Sequence, residues 1–248
     1  MTAPGVPMVR SIKERVRQGL LPVAKVLRKF ASRIDPAGHV NYAQEGEDQL
    51  LLRLFDGRGR GFYVDVGAHH PRRFSNTCVF YDKGWRGINI DPNPDAIQSF
   101  NSERTGDVNL CCGISDCEGE MTYFRMSDSA LNTLDENLAR ERERLTGYKI
   151  VGKSNVRVER LDAVLQRHMR VPAVIDFMNV DAEGHDINVL RSNDWDRFRP
   201  RVLLTEAIGG MSVEQILSCD VHEYLSAHDY RFVAKTKNTL FYADERST

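Results

Sequence analysis

The stretch "GFYVDVGAHHP", from Gly61 to Pro71, joins an apolar run to an abrupt polar ending. The run is short, begins after a glycine and is rich in aromatic and β-branched residues, which is typical of a buried strand. A glycine and two histidines follow at its carboxyl end. Because ligands bind beyond the carboxyl ends of strands in open parallel sheets, the stretch predicts a strand that delivers a ligand-binding loop. The alternative is a buried strand that merely ends in polar residues.

Similar apolar runs recur along the chain and alternate with helical patterns. Strands are expected at residues 62–67, 86–91, 108–115, 173–181 and 201–207. Helices are expected at residues 43–55, 74–84, 92–104, 187–198 and 212–229. Two final runs, "YRFVAK" and "TLFYAD", flank a short turn and predict an antiparallel hairpin. Strands separated by helices indicate βαβ units, so we expect an α/β fold with a mostly parallel sheet.

Residues 120–162 depart from this alternation, because two expected strands flank a long polar stretch. That stretch contains "LARERERL", residues 138–145, in which arginines alternate with glutamates. The pattern is typical of a solvated helix face, and we expect no chemistry from Arg140, Arg142 or Arg144. An insertion of this kind forms either a substrate wall or lid, or a surface excursion without a role in binding.

The composition excludes several classes of protein. The chain has 248 residues, 41% of them hydrophobic, which is enough for a core without disulfide bonds. Its 34 Lys and Arg nearly balance 35 Asp and Glu, so the global charge gives no reason to expect nucleic acid as a partner. Five cysteines without a framework spacing argue against a secreted disulfide scaffold. No apolar run approaches the ~20 residues of a membrane span, and we expect a cytoplasmic protein.

Residues 8–34 form a segment whose charge and apolar spacing differ from those of the rest of the chain. Apolar residues recur there every three or four positions, and eight basic residues stand against one acid, Glu14. A basic amphipathic helix can lie on an anionic membrane surface, which would make the protein membrane-peripheral. Alternatively, the helix packs on its own domain or mediates self-association. We therefore expect a helical segment and linker over residues 1–38, and the main domain over residues 39–248.

Carboxylates stand at or beside the carboxyl ends of the expected strands. They are Asp65, Asp91, Asp116 beside Ser115, Asp181 with Glu183, and Glu206. A buried strand end has no need of an acid, because each unpaired carboxylate carries a desolvation cost. Since the carboxyl ends of parallel strands meet at one edge of a sheet, acids at so many of them indicate a site.

The loop after the first strand argues against a dinucleotide. Gly67 allows a close backbone approach, but the glycine pattern that cradles a pyrophosphate is absent, and Pro71 removes an amide donor. Asp91, at the end of the second strand, suits the hydroxyls of a ribose and repels a 2′-phosphate. A ribose without a pyrophosphate, beside an acid that can face an ammonium group, describes S-adenosylmethionine (SAM). An NAD-dependent oxidoreductase and a non-catalytic Rossmann-like binding module remain the alternatives.

Five stretches together resemble the FkbM-type family of SAM-dependent methyltransferases. They are "YAQEGED" (42–48), "FYVDVGAHHP" (62–71), "FSNTCVFYDKGWRGINIDPNP" (74–94), "SALNTL" (129–134) and "IDFMNVDAEGHDINVLRSNDWDRFRPRVLLTEA" (175–207). The resemblance implies a Rossmann-like class I methyltransferase sandwich with a seven-stranded sheet. It also implies O-methylation, often of a sugar hydroxyl in a glycan, glycolipid or natural product. The acceptor would be a small molecule or an oligosaccharide.

The resemblance also implies roles for individual positions. Asp65, Gly67 and Ala68 match the SAM loop, and Asp91 matches the acid that binds the ribose. Ser115, or the backbone beside it, matches the position from which adenine contacts come. Asp181 and Glu183 match the acidic segment at the mouth of the active site.

Three histidines are candidates for the base that removes a proton from the acceptor hydroxyl. His185 follows the fourth expected parallel strand and is the first candidate, while His69 and His70 lie in the loop nearest the expected methyl group. Each could instead shape its loop through hydrogen bonds.

Two of the acids could hold a metal ion. Asp181 and Glu206 close neighbouring strands, and oxygen ligands of this kind suit Mg²⁺. Alternatively, Asp181 contacts the ammonium group of the cofactor and Glu206 orients the substrate.

Overall fold

The computed structural model describes residues 40–169, 174–207 and 210–247, together with four residues nearer the amino terminus. The chain divides into two units, residues 1–40 and 41–248. In the first unit, Leu20, Val23, Val26 and Leu27 are helical, and each is more than half exposed. The rest of the amphipathic pattern over residues 8–34 lies outside the described residues.

The second unit is built on a seven-stranded sheet. Its strands are β1 (Phe62–Val66), β2 (Arg86–Ile90), β3 (Val108–Leu110), β7 (Ile175–Val180), β8 (Pro200–Glu206), β9 (Tyr230–Lys235) and β10 (Thr239–Asp244). They lie in the order β3-β2-β1-β7-β8-β10-β9. The pairs from β3 through to β8 are parallel, whereas β10 is antiparallel to both β8 and β9. This confirms the predicted mostly parallel sheet with an antiparallel hairpin at its C-terminal end.

The two central strands explain the first apolar run of the sequence. Every residue of β7 is buried, as are four of the five residues of β1, because both faces of the sheet are covered.

The strand order reverses between β1 and β7, where the chain leaves in opposite directions toward the two edges. In doubly wound sheets, a ligand-binding crevice opens at this point, beyond the carboxyl ends of the strands.

Helices connect the strands. They are α1 (Glu47–Leu54), α2 (Cys78–Asp82), α3 (Pro94–Glu103), α4 (Glu136–Leu145), α5 (Leu161–His168), α6 (Asp186–Arg191), α7 (Val213–Ile216) and α8 (Asp220–Ser226). Helix α3 begins two residues after its expected start, with a proline in its first turn and the Asn93 side chain accepting a hydrogen bond from the Asp95 amide at 3.1 Å. No helix among the described residues is long and apolar enough to span a membrane.

One helix was not predicted, and two predicted helices differ in extent from those observed. Helix α5 was not predicted, because it follows a strand directly and only Arg160 separates the two. The helix expected at 187–198 ends at Arg191, and the one expected at 212–229 is two short helices. The second of these is capped by Cys219, the residue before its start, whose sulfur accepts a hydrogen bond from the His222 amide at 3.4 Å.

The segment after β3 forms a second, three-stranded sheet, in which β4 (Gly113–Ile114), β6 (Ile150–Glu159) and β5 (Gly119–Met126) are neighbours. The prediction of one strand over 108–115 was therefore wrong: β3 ends at Leu110 and the chain turns into β4. The reason is not local, since β4 pairs with the end of β6, which comes much later in the chain.

Candidate active site

A cleft opens at the carboxyl ends of β1, β2 and β7, beside the point where the strand order reverses. Five parts of the chain line it: the ends of these strands with the loops that follow, the turn into β4 with β4 itself, the inserted segment, the amino-terminal part of the second unit, and the first residue of β10. The lining residues lie at 44, 47, 65–69, 74–76, 90–92, 112–114, 123, 129–130, 132–134, 179, 181–183 and 239. Most of the strand-end acids predicted from the sequence therefore meet at one cavity.

Asp65 lies at the floor of this cleft and is fixed by neighbouring side chains. Its carboxylate accepts hydrogen bonds from the Thr77 hydroxyl at 2.9 Å and from the Asn179 amide group at 3.0 Å. Asn76 in turn donates to Asn179 at 2.9 Å, so the three cleft-facing side chains form one buried network. Burial raises the pKa of Asp65, while the two hydrogen bonds lower it.

Gly67 is required by a close approach between two loops. Its φ is +77°, and a Cβ there would overlap the carbonyl oxygen of Asp181. The amides of Gly67 and Ala68 both donate to the Ile90 carbonyl, at 2.9 and 3.1 Å. The loops that follow β1 and β7 thus touch, and the cleft forms above them.

Asp91, which follows β2, lines the cleft beside this loop and is buried. One carboxylate oxygen accepts from the His69 amide at 2.8 Å and the other from the Asn93 amide at 2.7 Å. Burial raises the pKa of Asp91 to about 6, and the two backbone hydrogen bonds act in the opposite direction. Its carboxylate is therefore held rigidly, with one backbone contact on each oxygen.

The two adjacent histidines are in different situations. His69 lines the cleft with φ at 53°, and its Nε2 is buried with no hydrogen-bond partner among the described residues. Burial lowers its pKa, so that its imidazole is neutral at pH 7. His70 accepts at Nδ1 from the Arg72 and Arg73 amides, at 2.9 and 3.0 Å, and so shapes the turn that follows.

The structure brings His185 and Ser115 together, but away from the cleft. The Ser115 hydroxyl lies 2.9 Å from Nε2 of His185, and both residues are buried. Neither is among the described residues that line the cavity. The backbone beside Ser115, at Cys112 to Ile114, does line it.

Three carboxylates form a cluster, of which Asp181 and Glu183 line the cleft and Glu206 does not. One oxygen each from Asp181, Glu183 and Glu206 lies within 4.8 Å of the others. Asp181 Oδ1 and Glu206 Oε2 are buried and have no hydrogen-bond partner in the part of the chain that the structure describes. Burial, together with the neighbouring acids, raises the pKa of Asp181 well above its ordinary range and that of Glu206 to about 10.

Arg142 reaches this cluster from the inserted segment. It donates to the Glu183 carboxylate, and both side chains are largely buried. The prediction that all three arginines of α4 lie on a solvated face was therefore wrong for this one. Alternating charges along a helix do not reveal which of them turns inward, because that depends on what packs against the helix.

Sequence reasoning missed most of the uncharged polar residues in the cleft. Asn76, Asn179 and Tyr123 line it, as do Asn132 and Thr133 of the inserted segment. Asn179 stands next to Val180 and Asp181, and its place at a strand end was the available signal. Glu47 also lines the cleft, where its carboxylate accepts from the hydroxyls of Thr236 and Thr239, each at 3.1 Å.

Solved structures similar to this chain include several methyltransferases. Methyltransferase FkbM from Methylobacillus flagellatus KT is 13% identical with a TM-score of 0.49, and the match covers 81% of this chain and 48% of that one. The chain thus spans about half the length of that protein. A methyltransferase from Geobacter sulfurreducens is 13% identical with a TM-score of 0.41, over 98% of this chain and 100% of that one. A putative caffeoyl-CoA O-methyltransferase from Staphylococcus aureus is 11% identical with a TM-score of 0.42, over 96% and 99%.

None of the curated proteins compared with the chain matches it. The family model described as the methyltransferase FkbM domain matches residues 65–232, from the acid of β1 to the middle of β9. This match covers well over half of the 248 residues and spans the cleft and the inserted segment. The Rossmann-like sandwich that the resemblance implies is confirmed by the strand order. The chain belongs to the methyltransferase FkbM domain family.

Proposed function

We propose that this protein is a SAM-dependent O-methyltransferase that methylates a sugar hydroxyl of a glycan, glycolipid or glycosylated natural product by in-line SN2 transfer. The observation that carries the proposal is the cleft itself, in which Asp91 faces the loop after β1 and no glycine cradle for a pyrophosphate exists in that loop. Membership of the family supports methyl transfer. Ser129 and Asn132 on the inserted side offer a hydroxyl and an amide group to the cleft, which suits a polyhydroxylated acceptor.

The residues present fit the cofactor. Each oxygen of Asp91 accepts one backbone hydrogen bond, which leaves lone pairs for the two hydroxyls of a ribose. Apolar surface from Ile90, Cys112 and Ile114 lines the cleft near Asp91 and suits an adenine ring. SAM, when bound, would supply a methyl group on a positively charged sulfur, activated for transfer to oxygen.

The task left to the protein is to orient the acceptor hydroxyl and remove its proton. His69 is the candidate base that the geometry favours, because its Nε2 is buried without a partner in the described cleft and its lowered pKa keeps it neutral. Nδ1 of His70 and Nε2 of His185 already have hydrogen-bond partners. We expect His69→Gln to lower kcat by about 10²–10⁴-fold, the range typical of a lost general base.

The carboxylate cluster fits a divalent cation. Asp181, Glu183 and Glu206 offer oxygen atoms within 4.8 Å of one another, and two of the buried oxygens have no other partner among the described residues. Oxygen ligands are those that Mg²⁺ prefers, and a bound ion would lower the pKa of a coordinated hydroxyl. We propose Mg²⁺ as an accessory to the reaction, held by these three residues.

Ligand-induced stabilisation tests the proposal directly. A ligand at about 100 times its Kd should stabilise the protein by about 2.7 kcal/mol, so SAM and S-adenosylhomocysteine should each raise Tm while NAD should not. A rise with NAD alone would instead indicate an oxidoreductase, and no rise with any of them a non-catalytic module. A panel of mono- and oligosaccharides, assayed with and without EDTA, then identifies the acceptor and any need for metal.

A further inference from the structure

Arg142 of α4 makes two contacts toward the cleft. One guanidinium nitrogen donates to the carboxylate of Glu183, and another donates to the Leu131 carbonyl at 3.1 Å. The side chains of Arg142 and Glu183 are only 13% and 15% exposed. Because the pair is largely shielded from water, removing one partner leaves the other as a poorly solvated charge.

Glu183 occupies an unusual position in its loop. Its φ is 51°, a left-handed conformation that is uncommon for a residue other than glycine. Its carbonyl accepts a hydrogen bond from the Thr133 hydroxyl at 2.7 Å, and Thr133 is itself part of the inserted segment. The inserted segment therefore holds Glu183 at both its backbone and its side chain.

The charges around Glu183 give Arg142 a second effect. The oxygen atoms of Asp181 and Glu206 lie within 4.8 Å of that of Glu183, so a negative charge on Glu183 is unfavourable there unless a cation stands beside it, and the guanidinium of Arg142 is that cation. Without the arginine, the Glu183 side chain would tend to turn away from the cluster and into solvent, and the strained backbone would be free to relax with it.

A neighbouring arginine on the same helix provides a contrast. Arg140 pairs with Glu136 one turn away, but the two side chains are 64% and 51% exposed. Such an exposed pair contributes little to the stability of a helix, and neither residue is among the described residues that line the cleft. Arg140 is thus a matched control, with the same side chain in the same helix.

We propose that Arg142 is a positioning residue of the active site, which fixes Glu183 and thereby joins the inserted wall to the loop at residues 181–184 as one rigid acceptor-facing surface. The effect of Arg142 on turnover rests on the proposed methyl transfer, but its effect on the loop does not. Since residues 133, 134, 182 and 183 all line the cleft, loosening this junction widens the space in which an acceptor must be held. Small losses of alignment are costly in a transfer that requires an in-line approach.

Hydrogen–deuterium exchange on the full chain tests the junction without any ligand. We expect Arg142→Met to raise exchange in peptides covering 129–135 and 181–187 by at least about tenfold, with Arg142→Lys in between because a lysine can reach only one of the two acceptors. Arg140→Met should stay within about twofold of the wild type. Glu183→Gln should loosen the same peptides, and adding Arg142→Met to it should have little further effect.

Kinetics then test whether the junction matters for the reaction. With the acceptor identified by the panel, we expect Arg142→Met to lower kcat by about tenfold or more and to change the affinity for S-adenosylhomocysteine by less than about threefold, with partial rescue by lysine. Unchanged exchange in Arg142→Met, or an equal change in Arg140→Met, would overturn the proposal. So would wild-type turnover in Arg142→Met. If the wild type binds no S-adenosylhomocysteine, the proposed function fails, and the exchange data alone decide whether the junction exists.

Discussion

At Asp91, two opposing effects act on a single carboxyl group. Burial favours the protonated form and raises the pKa from 3.8 to about 6, while hydrogen bonds from the His69 and Asn93 amides favour the carboxylate. The folded protein therefore binds this proton more tightly than the unfolded chain does. The stability that Asp91 contributes is fully present below about pH 4 and is lost as the pH rises through about 6. A ribose, in contrast, donates to the carboxylate, so cofactor binding should strengthen over the same range.

This opposition predicts a pH-dependent affinity for S-adenosylhomocysteine. With a pKa of about 6, roughly a tenth of Asp91 is ionised at pH 5 and nearly all of it at pH 7.5, so the affinity should rise about tenfold between these values. Calorimetry at each pH measures it. Asp91→Asn should bind more weakly at pH 7.5 and lose most of the dependence. A wild-type affinity that is flat from pH 5 to 7.5 would contradict the assignment of Asp91 to the ribose.

Gly67 gives a prediction about stability. Alanine at this position would combine a strained φ of +77° with an overlap between its Cβ and the Asp181 carbonyl. Gly84 is the matched control, because its φ is +96° and a Cβ there would meet nothing within 4 Å. We expect Gly84→Ala to cost about 1 kcal/mol and Gly67→Ala at least about 2 kcal/mol more, measured by urea unfolding. Equal losses would show that the two loops can move apart.

Individual acids were predictable from the sequence, but their partners were not. Asp65, Asp91 and Asp181 stand at the ends of apolar runs, and parallel strands bring such ends together whatever the details of the fold. The hydrogen bond between His185 and Ser115 joins the residue before α6 to the residue after β4, which are far apart in the chain, and no local pattern reports it. The contact between Arg142 and Glu183 could not be predicted for the same reason.

At the scale of whole elements, the end of α3 fixes a loop of the candidate active site. Arg104, which follows its last residue, is 1% exposed and donates twice to the Pro71 carbonyl, at 3.2 and 2.6 Å, and once to the Ser75 hydroxyl at 3.0 Å. Its charge is balanced by Asp107 at 3.7 Å. The end of this helix therefore holds the loop that carries His69 and His70 against the sheet.

Arg104→Met should strongly destabilise the protein. The substitution leaves Asp107 buried without its counter-charge and leaves the Pro71 carbonyl without its donor, which costs about 3–5 kcal/mol in comparable buried pairs. Arg53→Met is the control, because its side chain is 83% exposed, and it should change the free energy of unfolding by less than about 0.5 kcal/mol. The double variant Arg104→Met/Asp107→Asn should recover part of the loss. A loss below about 1 kcal/mol in the single variant would mean that water replaces the arginine.

Most elements of the main sheet were predictable because period-two and apolar runs report burial directly. In the second sheet, β5 and the end of β6 were expected as strands, but their assembly with β4 was not, since β4 has only two residues and its partner lies near the end of the insertion. Helix α5 was missed where a strand runs almost directly into a helix without a glycine or proline between them. Long-range pairing and abrupt junctions are the features that a single sequence conceals.

At the scale of the whole molecule, the chain is nearly neutral, but its charge is unevenly distributed. Residues 8–34 carry eight basic residues and one acid, so the remaining chain has a net negative charge. Leu20, Val23, Val26 and Leu27 are helical and more than half exposed. An apolar surface flanked by positive charge is complementary to an anionic lipid surface. We propose that this segment binds the protein peripherally to such membranes, where a glycolipid acceptor would also reside.

Vesicle co-sedimentation of the full chain tests this proposal. Vesicles with about 30% anionic phospholipid should bind the protein at low salt and release much of it at about 0.5 M salt, since each Lys or Arg near the surface contributes about 1 kcal/mol before screening. Purely zwitterionic vesicles should bind far less. Leu20→Glu/Leu27→Glu and Lys25→Glu/Lys29→Glu should each reduce binding at least about tenfold, the first by removing apolar insertion and the second by removing charge, while both keep the melting temperature of the main domain. Failure of the wild type to bind anionic vesicles would contradict the proposal. If light scattering then shows a dimer that Leu20→Glu/Leu27→Glu dissociates, the exposed apolar residues contact a second copy of the chain instead.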